Sequence, residues 1–278
     1  MLARAARSHD DGSRARAAGC DDPRPMTREQ ALHPLVGGFA DAAAYDASRP
    51  RYGAAAAQTL TARLGLQPGD AVLELGAGTG QLSGALLAAG LDLTTVEPLA
   101  DSRRLLADAI GAERVLEGRA EEIPLAESSV RAVFAADAFH WFDERRAMPE
   151  IKRVLAPGGG VAILRTAPRL QGDWARELGE VVIARRPEHP AFGARGAAAA
   201  LEEDPDFGPV SADEVHVDAE LDAEQLVALV GTFSWVAVLA PDERAALLED
   251  VRAVLAAHGV ERVRDGLLQQ IWTARLTD

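Results

Sequence analysis

Nine consecutive residues, Val72-Leu73-Glu74-Leu75-Gly76-Ala77-Gly78-Thr79-Gly80, constrain this chain more than any other feature: a short apolar run ends in three glycines at alternate positions. Glycine reaches positive φ readily and carries no Cβ to hold a ligand away from the main chain. A helical pattern follows, so the turn should lie at the carboxyl end of a strand, where open α/β sheets bind ligands. Two common readings fit poorly. A dinucleotide fingerprint places its third glycine three positions after the second, and that position is Gln81. A phosphate-cradling loop ends in Gly-Lys-Ser/Thr, and the chain's only lysine is the distant Lys152. The spacing suits a ligand whose amino-acid moiety, not a pyrophosphate, rests over the turn; a tight turn with no ligand is the alternative.

Past the turn, strand-length apolar stretches alternate with helical ones, the mark of βαβ units and a parallel sheet. Strands are expected at Ala71–Leu75, Leu93–Glu97, Arg114–Glu117, Ala132–Ala136 and Gly160–Arg165, with helices at Gln81–Ala89, Ala100–Ile110 and Arg145–Leu155. Pro149 falls inside the last of these, where proline removes a hydrogen bond at a cost of about 3 kcal/mol, so that helix should start late or kink. Upstream, Met26–Phe39 and Ala54–Leu64 read as helices and Ala40–Tyr52 as an amphipathic segment. After Arg165 the pattern changes to a helix at Trp174–Arg185, a Gly/Pro/Ala-rich connection over Pro187–Pro209 and a strand at Glu214–Val217. Helices at Ala223–Gly231 and Pro241–Ala257 and a last strand at Leu267–Leu276 complete the chain.

Composition excludes several functions. The formal charge of −14 over 278 residues argues against a nucleic-acid partner, because neutralising phosphates requires a basic face. No apolar run approaches the eighteen or so residues of a membrane span, and no membrane partner is expected. Cys20 is the single cysteine, and His9, His33, His140, His189, His216 and His258 are scattered without metal-ligand spacing, so no metal is expected. Residues 1–26 carry arginines but no apolar signal core; they read as a disordered tail, with Met26 a candidate start and the cytoplasm the expected location. A monomer or homodimer is expected.

The glycine segment resembles the first motif of class I S-adenosylmethionine-dependent methyltransferases, and other landmarks follow in the same order. Thr95-Val96-Glu97-Pro98 ends the second strand on an acid seventeen residues past Gly80. Gly118-Arg119-Ala120-Glu121-Glu122-Ile123-Pro124-Leu125 is similar to the family's adenine-binding turn, with Arg119 replacing the usual acid. Tyr45-Asp46-Ala47-Ser48-Arg49-Pro50-Arg51-Tyr52, Ala138-Phe139-His140-Trp141-Phe142 and Arg153-Val154-Leu155-Ala156-Pro157-Gly158-Gly159 resemble a bacterial, type-11-like, small-molecule subgroup. The likeness spans roughly Phe39 to Leu276. The subgroup's Trp-Asn-x-Arg after the fifth strand is replaced by Leu164-Arg165-Thr166-Ala167-Pro168-Arg169.

The resemblance implies a doubly wound, mostly parallel seven-stranded sheet with the last strand antiparallel. A helical lid over residues 27–65 would precede a catalytic domain at 66–278, with substrate-cap elements within about 166–240. It implies S-adenosyl-L-methionine as cofactor, held by Glu74, Gly76, Ala77, Gly78, Gly80 and Gln81 at the turn. Glu97 and Pro98 would meet the ribose, Ala120 and Glu121 the adenine, and Ala136 and Asp137 the amino end. Tyr45, Arg49 and Tyr52 would close the lid, a Tyr hydroxyl or Arg49 reaching the cofactor's carboxylate. A carboxylate such as Glu97 can accept from both ribose hydroxyls.

The implied reaction is methyl transfer to a small-molecule acceptor, oxygen being weakly favoured. The same fold using the bound sulfonium for a non-methylating cyclisation or isomerisation in a biosynthetic pathway is the alternative. His140 is the candidate general base, since imidazole titrates near neutral pH; its competing role is to pack the Phe139/Trp141 turn. Phe139, Trp141, Trp174 and Trp235 are candidate acceptor contacts, with core packing the alternative for each.

Overall fold

The computed structural model describes residues 32–33, 35–36, 41–186, 198–217, 220–264 and 266–277. The chain divides after Leu32, and the architecture below belongs to the unit beginning at His33. Its helices are α1 (Ala42–Ser48), α2 (Ala54–Leu64), α3 (Ser83–Ala88), α4 (Ala100–Ile110), α5 (Glu144–Val154), α6 (Asp173–Ala184), α7 (Ala199–Glu202), α8 (Ala223–Gly231), α9 (Ser234–Ala237) and α10 (Pro241–Ala257). The strands are β1 (Ala71–Leu75), β2 (Asp92–Glu97), β3 (Val115–Glu117), β4 (Val130–Ala136), β5 (Leu155–Pro168), β6 (Ser211–His216), β7 (Glu220–Asp222), β8 (Arg262–Arg264) and β9 (Leu267–Arg275).

Seven strands form one sheet in the order β3-β2-β1-β4-β5-β9-β6. Neighbours from β3 through β5 are parallel, while β9 runs antiparallel to both β5 and β6. The chain winds outward from β1 through β2 to β3, then returns to β4 on the other side. The reversal therefore falls between β1 and β4, the place where such sheets leave a crevice at their carboxyl ends.

Both faces of β1 are covered, which is why it reads as a continuous apolar run and not an alternation: Val72, Leu73 and Leu75 are fully buried. On one face Leu60 of α2 and Leu82 and Leu86 beside α3 pack with Val72, Leu93 and Phe134. On the other, Met148 and Ile151 of α5 pack with Leu73, Val133 and Ile163. A third core lies among α6, α8, α9 and α10, with Leu178, Leu226, Val230, Val236, Leu247 and Val251 at its centre.

Three local differences from the sequence expectations have physical causes. Helix α5 does not start late: Asp143 caps it by accepting from Arg145 N, and Pro149 sits in its interior. The buried face of Ala147, Met148, Ile151 and Val154 offsets the lost bond. Strand β5 begins at Leu155, earlier than expected, because Gly158–Gly160 form an irregular stretch of strand and not a break; the register against β4 shifts between Val130 and Ala132. The antiparallel pair β7–β8 is unheralded, its three-residue strands being too short for a pattern and held by Glu220 to Arg262 and Arg264. The expected tail and most of Met26–Phe39 lie outside the described residues, apart from a short turn at Leu35 and Val36.

Candidate active site

The turn after β1 holds Gly76, Gly78 and Gly80 at φ of +62°, +59° and +93°, a region side chains rarely occupy. Their roles differ. A Cβ on Gly80 would lie 2.8 Å from Leu106 Cδ1, so that position is fixed by packing within the protein. A Cβ on Gly78 would meet nothing nearer than Gln81 Oε1 at 3.8 Å and would instead fill the room above the turn. That cradle fits a ligand lying against bare main chain.

Glu97 ends β2 beside this room. Its Oε2 accepts from Gly78 N and its Oε1 from Leu99 N, each at 2.9 Å, so two backbone amides fix the carboxyl group. Burial pushes its pKa up, while those amides and Arg103 pull the other way. The neighbouring Pro98 carbonyl accepts from Arg103 Nη1 at 2.7 Å.

Glu74 sits beneath the turn and not at its surface. It is 1% exposed, accepts from Ser83 Oγ at 2.6 Å, and burial pushes its pKa up to about 8. A carboxyl group in that state is largely protonated at neutral pH. Instead of presenting a charge to an ammonium, it braces the start of α3 from below.

The lid segment is tied to the turn partly through Asp46 and Arg51, to which the sequence gave no individual role. Asp46 of α1 accepts from Arg51 Nη2 at 2.8 and 3.0 Å and from Gln81 Nε2 at 3.2 Å. Tyr52 N donates to the Gln81 carbonyl at 3.0 Å. Arg49, expected to reach a cofactor carboxylate, instead donates from Nε to Thr232 Oγ1 at 3.0 Å and from Nη2 to the Thr232 carbonyl at 3.2 Å. Its guanidinium lies 5.0 Å from the Tyr45 ring centroid and 5.2 Å from that of Phe233, so it joins α1 to the end of α8.

Strand β4 ends at half-buried Ala136, and Asp137 follows with φ of +50°, a conformation Asp tolerates better than most side chains. Its Oδ1 accepts from Thr166 N at 2.7 Å, and its Oδ2 from Tyr52 Oη and Thr166 Oγ1, both at 2.9 Å. Burial, then the adjacent Asp137 carboxylate, holds the Tyr52 phenol well above its ordinary pKa, so it remains the donor. The Asp137 side chain thus clamps lid to sheet. The next residue, Ala138, packs against the turn, its Cβ 2.8 Å from where a Gly76 Cβ would stand. Ala120 and Ala77 are buried as well. The Glu121 carboxylate accepts from Asp143 N at 2.9 Å and pairs with Arg119 at 3.4 Å, fixing the loop that carries His140.

A cavity of about 370 Å³ adjoins that loop, and Tyr45, Arg49 and Asp137 share its lining. His140 and Trp141 line it from β4's end, Arg165 and Thr166 from β5, and Phe233 and Trp235 from the third core. The His140 ring lies 4.9 Å from that of Trp141. Two expected acceptor contacts do not reach this lining. Phe139 is 5% exposed and packs edge-on against Phe142 at 5.5 Å, and Trp174 packs against the third core. Among the described residues no cluster of His, Cys, Asp and Glu could hold a metal ion, and no helix is long and apolar enough to cross a membrane.

Residues 73–163 match the family model described as a methyltransferase domain. An uncharacterised methyltransferase of Mycobacterium bovis is 35% identical over 224 residues, spanning 81% of this chain and 87% of its own length. An uncharacterised methyltransferase-like protein of Schizosaccharomyces pombe is 28% identical over 205 residues, 73% of this chain and 80% of its own. Among solved structures, a proposed type II methyltransferase from Anaeromyxobacter dehalogenans superposes with a TM-score of 0.57 at 22% identity, over 82% of this chain and 96% of that one, a likeness of fold.

Proposed function

The chain belongs to the class I S-adenosylmethionine-dependent methyltransferases, and from that premise we propose that it methylates an oxygen of a small molecule bound in the cavity beside His140. The observation that carries this reading is the placement of one loop. Ala138 packs on the glycine turn while His140, two residues on, lines the cavity, so one short segment touches both. When bound, the cofactor supplies an activated methyl group on a sulfonium. The protein's part is to align the acceptor and keep water out, and positioning of this kind supplies roughly 7–11 kcal/mol in well-oriented systems.

In this reading Glu97 grips the ribose, Gly76–Gly80 support the methionine part, and Ala120 with Glu121 border the adenine. Tyr45, Arg49 and Tyr52 close over the site, and Thr232 anchors Arg49. Two relatives of limited coverage are named malonyl-[acyl-carrier protein] O-methyltransferases; one, from Methylococcus capsulatus, is 41% identical over 107 residues, 34% of this chain. Their names agree with transfer to oxygen.

His140 tests what kind of oxygen is methylated. A hydroxyl acceptor must lose a proton, and in this reading His140, which lines the cavity, takes it. His140→Ala should then lower turnover by roughly 10²–10⁴-fold, read with methyl-labelled cofactor at saturating acceptor. Unchanged turnover removes the base role. Label that never reaches product, despite acceptor consumption, would favour a non-methylating use of the bound sulfonium.

A further inference from the structure

We propose that the acceptor carries a hydrocarbon body seated against α6 and that residue 179 sets how large that body can be, an inference that rests on the methyltransferase reading of the same site. Helix α6 lines the cavity with one face, Ala175, Leu178, Gly179, Val182 and Ile183, and α8 lines it with Leu226, Leu229 and Val230. Leu178, Val182 and the three residues of α8 also belong to the third core, so this part of the cavity is a room left inside apolar packing. Tyr45, Arg49 and Asp137 border the cavity, but neither Glu97 nor any residue from Gly76 to Gly80 lines it. The turn that receives the cofactor therefore does not account for the aliphatic part.

Folded cores are close-packed and hold few voids larger than a water molecule. A room walled by Leu and Val offers water few partners and suits an apolar guest. A sugar, nucleoside or amino acid would leave its polar groups unpaired against such walls.

Gly179 is where the wall is cut back. It lies inside α6 with ordinary helical backbone, not the positive φ that calls for glycine at Gly76, Gly78 and Gly80. A helix interior favours alanine over glycine, so local structure gives no reason for it. A Cβ there would meet nothing within 4 Å, and the residue lines the cavity. The room in front of it supplies the reason: a side chain would stand where the acceptor's body lies. Ile183, one turn on, is 53% exposed and carries the same apolar face to the surface. His140 lines the same cavity, so a chain bound along α6 can bring an oxygen at its head to the transfer site. That oxygen bonds to the methyl carbon as the carbon–sulfur bond breaks and leaves its electron pair on sulfur. A hydroxyl also gives its proton to His140 in the reading above, whereas a carboxylate has none to give.

The test uses the full chain and four probes: octan-1-ol, octanoate, butan-1-ol and xylitol. Calorimetry without cofactor should show octanol binding more tightly than butanol by roughly fourfold for each methylene the wall accepts, about two orders of magnitude in all. The heat-capacity change should be negative, and xylitol should not bind. With methyl-labelled cofactor, octanol or octanoate should take label with a kcat/KM about a hundredfold or more above that of butanol and xylitol. In Gly179→Leu the side chain takes the room of several methylenes, so the octanol-to-butanol ratio of binding constants should fall at least about tenfold. Cofactor binding should stay unchanged, and the variant should melt no lower than the parent. Should the leucine fail to fold, Gly179→Ala adds one methyl group to the helix and should still lower the ratio about fourfold. Equal binding of octanol and butanol, faster labelling of butanol or xylitol, no label from either eight-carbon probe, or an unchanged ratio in the folded variants overturns the proposal. Cofactor binding in any of those cases leaves methyl transfer standing, whereas failure to bind the cofactor removes the underlying methyltransferase reading.

Discussion

Replacing Glu97 with alanine is expected to weaken S-adenosylmethionine binding by roughly 10²–10⁴-fold, the value of two hydrogen bonds to a charged group at about 1.5–3 kcal/mol each. The expectation follows from how the carboxylate is held. Gly78 N and Leu99 N each donate to one of its oxygens, so the group is oriented before any ligand arrives and spends little entropy on binding. Each oxygen of an ionised carboxylate keeps further acceptor capacity beyond one such bond. Alanine removes the proposed ribose acceptor and strips both amides of their partner, which should lower stability by about 1–3 kcal/mol for each amide that water cannot reach. Titration calorimetry and thermal melting together separate the two effects. Glu97→Gln should bind nearly as poorly, because its amide offers one acceptor where two are needed. A folded alanine variant that binds within tenfold of the parent would mean the ribose is held elsewhere.

The second large effect is on stability. Glu74 is 1% exposed, and burial lifts its pKa from 4.5 to about 8. Between those values the folded chain holds a proton that the unfolded chain releases. Stability from this group is fully present below about pH 4.5 and is lost as pH rises through about 8. At roughly 1.4 kcal/mol per pH unit the ceiling is about 5 kcal/mol, and relaxation around the charge will lower it. Glutamine keeps the shape, accepts from Ser83 and never ionises. Urea unfolding should find Glu74→Gln more stable than the parent by a few kcal/mol at pH 9 and within about 1 kcal/mol of it at pH 5. An equal difference at both pH values would mean that Glu74 is not a buried neutral acid.

The parts of this site that could be read from sequence are those in which one short segment does the whole job. The glycine turn needs particular residues at fixed spacing, because backbone conformation and close approach are local demands, and β1 and the flanks of its turn lie where the pattern puts them. Glu97 was legible for a similar reason: a strand-end acid lies a set distance from the turn, and Gly78 N meets it at 2.9 Å. Partnerships between distant segments left no such trace. Thr232 receives Arg49 from 183 positions away, and Thr166 meets Tyr52 across 114. Asp46 and Arg51 lie inside the amino-terminal motif, yet their bond to each other and to Gln81 and Gly80 depends on how α1 lies against the turn. Phe139 shows the opposite failure. Its position after β4 suggested an acceptor contact, but a 3-10 turn there sends Phe139 into the core and leaves His140 and Trp141 on the cavity. Adjacent residues on so tight a turn point in different directions, and composition alone cannot choose among them.

The most direct measurement is a crystal structure of the chain with S-adenosylmethionine bound. The expected result is the methionine part lying against Gly76–Gly80, both ribose hydroxyls hydrogen-bonded to Glu97, and the methyl group directed at the cavity that His140 lines. A cofactor seated away from the glycine turn, or a ribose turned from Glu97 into solvent, would contradict it.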